Sequence, residues 1–66
     1  MDKQFLDYIN KKLIEREKVS MEFVSEGGCK TFEDYKELCG FIRGLKTAQF
    51  ELEDLVRKIK ENDDEL

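Results

Sequence analysis

Apolar residues recur along this chain at intervals of three and four, most regularly after residue 34. Tyr35, Leu38, Ile42, Leu45, Gln49, Leu52, Val56 and Ile59 are spaced 3-4-3-4-3-4-3. That alternation keeps one stripe of an α-helix against a partner helix. With Tyr35 at heptad position a, the d positions are Leu38, Leu45, Leu52 and Ile59, and only Gln49 among the a positions is polar. A polar a residue is either a tolerated edge position or the device that fixes register and oligomer state; the spacing leaves both open.

A weaker repeat precedes it. Leu6, Ile9, Leu13 and Phe23 share one helical phase, with Arg16 and Ser20 interrupting the stripe. Packing there is expected to be looser, or the Arg16 stem lies along its apolar neighbours. Between the two repeats stands Ser25-Glu26-Gly27-Gly28-Cys29-Lys30, whose glycines can end a helix and reverse the chain. Thr31 then offers a helix N-cap, with Glu33 and Asp34 in the first turn, where acidic charge suits the helix dipole. Asp7 with Lys11, Glu53 with Arg57 and Asp54 with Lys58 are acid-to-base pairs four apart, each supporting its helix by a few tenths of a kcal/mol.

These signals predict an all-α fold: a single domain, 1–66, built as a two-helix antiparallel hairpin within a helical bundle or coiled-coil assembly. The expected helices run from about residue 2 to 25 and from about 31 to 62, around a loop at about 26–30, with an acidic tail at 61–66. At ~1.5 Å per residue they would span roughly 36 Å and 46 Å. Leu6 would then lie near Leu52, leaving Val56, Ile59 and the acidic end beyond the first helix.

One contact between two helices cannot cover all the apolar residues. Phe5, Tyr8, Ile14, Val19, Met21, Phe41, Ala48, Phe50 and Leu55 fall outside the seams. Phe41, Ala48 and Leu55 recur every seven residues along one flank of the second helix, and Ile14 and Met21 do the same on the first. A stripe this wide is what a helix in a bundle of three or more shows. Gly40 and Gly44 lie one turn apart, although glycine inside a helix costs about 1 kcal/mol relative to alanine. Either a neighbour approaches that glycine face closely or the helix is locally weak. The expected partner-binding residues are therefore Gly40, Phe41, Gly44, Ala48, Leu55, Val56 and Ile59.

Length makes a partner more pressing, because a domain of 66 residues buries only about 60% of its unfolded surface. Disulfides, metals or oligomerisation usually supplement so small a core. There is no histidine, and Cys29 and Cys39 have no second pair of thiols, so no metal site and no cofactor is expected. The first twelve residues carry Asp2, Lys3, Asp7, Lys11 and Lys12 without an apolar core, so no secretory signal is expected and the thiols should be free in a reducing cytoplasm. No run approaches a membrane span.

Sixteen acidic residues oppose twelve basic ones, and the excess of four equals Glu61, Asp63, Asp64 and Glu65. A neutral body with an acidic, frayed end lacks the positive stripe that nucleic-acid binding requires. Glu33 with Glu37, and Glu51 with Asp54, share helix faces but should face water. Cys39 is expected to act as a small core hydrophobe and Cys29, in the loop, to be the more reactive thiol. No catalytic residue is expected, and the chain is read as no enzyme.

The stretch Asp34-Tyr35-Lys36-Glu37-Leu38-Cys39-Gly40-Phe41-Ile42-Arg43-Gly44-Leu45 resembles small helical proteins of tailed bacteriophages. Their second helix carries a Tyr-x-x-Leu-x-Gly-x-Ile-x-Gly-Leu pattern, met here at Tyr35, Leu38, Gly40, Ile42, Gly44 and Leu45, over about a fifth of the chain. The resemblance implies a phage-encoded accessory protein of the host-cell cytoplasm or of the virion, and it carries over no catalytic or ligand residue. The expected function is structural: helix-on-helix docking to copies of itself or to a larger protein, with no nucleic acid and no membrane. Two alternatives stand beside it. One is a small inhibitor of a host enzyme or defence factor, engaged through the acidic tail; the other, disfavoured by the neutral body, is an RNA-binding regulator.

Overall fold

A computed structural model describes residues 3–65 of the chain. The expected start at Asp2, together with Leu66 and the side chains of Asp63, Asp64 and Glu65 in the acidic tail, lies outside what is described. Two helices, α1 (Lys3–Ser25) and α2 (Phe32–Glu65), are joined by six residues. The fold is an all-α helical hairpin. Helix α2 continues to Glu65 through the segment expected to fray. Its 34 residues at ~1.5 Å each account for nearly all of the 53 Å long axis of a body only 16 × 14 Å across.

The reversal follows from two glycines and one aromatic ring. Gly27 adopts φ +80°, a conformation open mainly to glycine. Its N–H donates to Val24 O at 3.1 Å, and the Gly28 N–H donates to Phe23 O at 2.8 Å. This pair of bonds defines a Schellman cap, which satisfies carbonyls that the helix end would leave bare. The usual hydrophobic contact across such a cap is present in compact form, because the Phe23 ring lies where a Cβ on Gly28 would stand, 2.5 Å from it. Phe23 is therefore committed to the loop. It is 51% exposed, and Val24 takes the inward position expected of Phe23.

Helix α2 opens as its sequence predicts. Thr31 Oγ1 accepts the Asp34 N–H at 3.0 Å, and Asp34 Oδ2 reaches back to the Lys30 N–H at 3.4 Å. The cap and the first-turn acid thus support each other, a variant of the capping box.

Cross-helix pairs fix the register. Lys46 Nζ lies 2.6 Å from Glu17 Oε2, and Asn10 Nδ2 donates to Glu53 Oε1 at 3.5 Å. Seven residues back along α1 correspond to seven forward along α2, as antiparallel helices require. Leu6, four residues before Asn10, accordingly comes level with Arg57, between Val56 and Ile59. The expected overhang of Val56 and Ile59 is corrected: both are half-buried within the hairpin, where Leu6 is covered to 4% exposure. By the same register Lys3 is level with Lys60, so the end of α2 still extends beyond α1, and the start of α2 projects past Ser25 at the loop end, carrying Phe32 and Tyr35, whose rings stack with centroids 6.5 Å apart.

The inward stripe of α1 also differs from the expected one. It runs Leu6, Asn10, Leu13, Glu17, Ser20, Val24, all buried or half-buried, while Arg16 is exposed. Ser20, 7% exposed, returns its hydroxyl to Arg16 O at 2.8 Å, so a small polar residue fits the interface without an orphan donor. Asn10 is less well served: its Oδ1 is buried and has no partner. Along α2 the predicted seam from Leu38 to Ile59 is half-buried throughout, and only Tyr35 at its start is exposed.

Candidate interaction surface

Leu6, 4% exposed, is the one buried apolar side chain among the described residues. Everything else apolar along the seam is shared with solvent, because two helices can enclose only a line. The chain exposes 5531 Å². A compact monomer of its mass would expose about 4,400 Å², leaving roughly 1,100 Å² in excess.

That surplus is divided between two faces. On one, a groove is lined by Lys12, Arg16 and Val19 of α1 and by Phe41 and Leu45 of α2. It continues past Phe41 to Phe23, Glu37 and Leu38 at the loop end. Phe41 is 49% exposed and Leu55, two heptads further along the same flank, 38%. Ala48 between them is half-buried. The opposite face holds Met21, Val24, Cys39 and Ile42, with Ile14 further along. The two heptad flanks, Phe41-Ala48-Leu55 and Ile14-Met21, therefore look in opposite directions.

Gly40 and Gly44 are open. A Cβ at either would meet nothing within 4 Å, so the chain itself does not use the close approach they permit. Of the seven expected contact residues, Phe41, Leu55, Gly40 and Gly44 are exposed, Ala48 is partly covered, and Val56 and Ile59 belong to the hairpin's own seam.

Apart from Asn10 Oδ1, the polar side chains at the helix interface are engaged. Glu17 lies with its side chain 13% exposed, pairs with Lys46, and accepts a 2.7 Å hydrogen bond from Gln49 Nε2. The Lys46 contact first, then the Gln49 bond, hold its carboxyl below the usual glutamate range. Gln49 is thus not a bare edge residue; its amide holds Glu17 at one register of the hairpin. Lys58, 3.0 Å away, and then Arg57 hold Asp54 below the usual range. Arg57 pairs with Asp54 rather than with the expected Glu53, whose carboxylate accepts from Asn10.

The Tyr35 hydroxyl is pushed up, chiefly by the Cys39 side chain as hydrogen-bond partner and as a neighbouring charge, then by burial. These three shifts all deepen the ordinary ionisation state, the opposite of what acid-base chemistry near neutral pH demands. Cys29 and Cys39 are free thiols, both half-buried. Among the described residues no cluster of three or more His, Cys, Asp or Glu side chains is placed to hold a metal ion, and no helix is long and apolar enough to cross a membrane.

Glu17 was the residue the periodicity reading missed. Its signal was present, since Asn10, Glu17 and Val24 recur every seven residues and alternate with Leu6, Leu13 and Ser20. Three polar members, Asn10, Glu17 and Ser20, concealed the stripe. Comparison with protein-family models, with curated proteins and with solved structures gives no match for this chain. Fold and surface define it as a small helical hairpin with an open apolar face.

Proposed function

We propose that this chain is a non-enzymatic interaction protein that works by laying the Phe41 face against another helical surface. The observation that carries the reading is the coexistence of one buried apolar side chain among the described residues, Leu6, with large aromatic and aliphatic residues exposed in heptad register at Phe41 and Leu55. Exposed apolar patches of this extent mark interaction surfaces. Gly44 borders the face and leaves room for close approach.

Within that reading, the Tyr35-to-Leu45 resemblance supports a component of a phage particle or of its assembly. Mass spectrometry of purified particles beside infected-cell lysate tests this placement, and absence from the particles removes it. The docking role has a separate test. Immobilised wild-type chain should retain a helical partner, and Phe41→Asp should lose it while keeping the Glu17–Lys46 register; equal retention by both would take the face out of the function.

A further inference from the structure

We propose that the partner on this face is a second copy of the chain, the two hairpins lying face to face with their long axes parallel, so that α2 of each covers α1 of the other. The inference rests on the open-face reading above and adds the occupant and its alignment.

Charge placement carries it. Arg16 lines the groove beside Phe41, with Lys12 one turn away. On the α2 side, Glu37 lines the same face, and Glu51 follows two heptads later along the same edge. Among the described residues neither Arg16 nor Glu51 has a side-chain ion pair or hydrogen bond, and Lys12 lies 3.7 Å from Glu15, which lines the same groove. By the register set at Glu17–Lys46 and Asn10–Glu53, Lys12 is level with Glu51, Val19 with Gly44, and Ile9 with Asp54 and Leu55. A two-fold axis along the hairpin keeps these levels matched between copies. Glu51 then meets Lys12 and Arg16 of the second copy, Val19 sits over the second copy's Gly44, and Ile9 meets Leu55.

The other two-fold arrangement sets α1 on α1 and gathers two Lys12 and two Arg16 side chains at the centre against two Glu15, an excess of like charge that interfaces avoid. Either arrangement makes every helix antiparallel to both neighbours, as in an up-down four-helix bundle, so charge placement decides between them.

Sedimentation of the full chain at micromolar concentration tests this with a charge swap. Wild type should be dimeric. Glu51→Lys alone, and Lys12→Glu with Arg16→Glu, should each be monomeric, since each sets like charges across the interface. An equimolar mixture of the two variants should recover the dimer, because Lys and Glu then face each other at both contacts; recovery on mixing also shows that the variants had not merely misfolded. Retention of the dimer by Glu51→Lys, or no recovery on mixing, overturns the alignment. A monomeric wild type overturns self-association, while the docking role is still decided by whether Phe41→Asp loses a partner that the wild type retains.

Discussion

Gln49 Nε2 donates a 2.7 Å hydrogen bond to Glu17 Oε1 across the hairpin, on the carboxylate whose other oxygen lies 2.6 Å from Lys46. A polar residue in an otherwise apolar seam therefore has a defined partner at one register. Sliding the helices by a turn would leave a carboxylate with 13% of its side chain exposed without either donor, and such burial is unfavourable for an unpaired charge.

This arrangement makes stability depend on acid. Glu17, through Lys46 and Gln49, and Asp54, through Lys58 and Arg57, hold protons less readily in the hairpin than in the unfolded chain. Their contribution is complete above the ordinary carboxylate range of about pH 4 to 4.5 and is lost as pH falls through the lower folded values. Thermal midpoints followed by circular dichroism should drop on acidification across that window. Glu17→Gln should start lower at neutral pH and show a shallower drop; an unchanged slope would remove Glu17 from the effect.

Phe23 and Gly28 should be energetically coupled. Gly28→Ala places a methyl 2.5 Å from the Phe23 ring and forces the ring off the Schellman cap. In a Phe23→Ala background the three atoms nearest that methyl are gone, so the double mutant should lose less than the two single losses together. Gly27→Ala should cost about 1 to 2 kcal/mol in either background, because its left-handed backbone is the obstacle. Urea unfolding of the full set reads both quantities.

Asn10→Leu should stabilise the hairpin. It removes the buried, partnerless Oδ1, whose burial costs about 1 to 3 kcal/mol, and gives up only a 3.5 Å contact to Glu53. A lower thermal midpoint would show that the Glu53 contact outweighs the orphaned oxygen.

Gly44→Ala separates two explanations of the glycine pair. With nothing within 4 Å of the added methyl, alanine should raise helix stability by about 1 kcal/mol in a Phe41→Asp chain, where the face is bare. In the wild-type chain it should weaken association, since the methyl meets the docked surface. Equal stabilisation in both, measured by thermal unfolding and sedimentation, would mean that nothing approaches the glycines.

Much of this architecture was legible because helical periodicity is a strong, local signal. Both helices, the glycine reversal, the Thr31 cap and the α2 seam from Leu38 to Ile59 follow from it. The inward face of α1 did not, because Phe23 obeys a contact with Gly28 in the loop, and Glu17 is drawn inward by Lys46 and Gln49 from the other helix. The register was misplaced for a related reason. Hydrophobic matching set Leu6 beside Leu52, whereas the ion pair and the Asn10 contact set it beside Val56 and Ile59. Which apolar flanks share a face likewise depends on the rotation of α1, so the opposition of Phe41 to Met21 emerges only from the folded pair.

The dependence of the unfolding midpoint on protein concentration tests most directly whether the hairpin needs another surface. Association stabilises by mass action, so the thermal midpoint of the purified chain should rise steadily with concentration and lose that dependence in Phe41→Asp. A sharp, cooperative transition at one temperature across the whole dilution series, from a species that sediments as a monomer, would contradict the account.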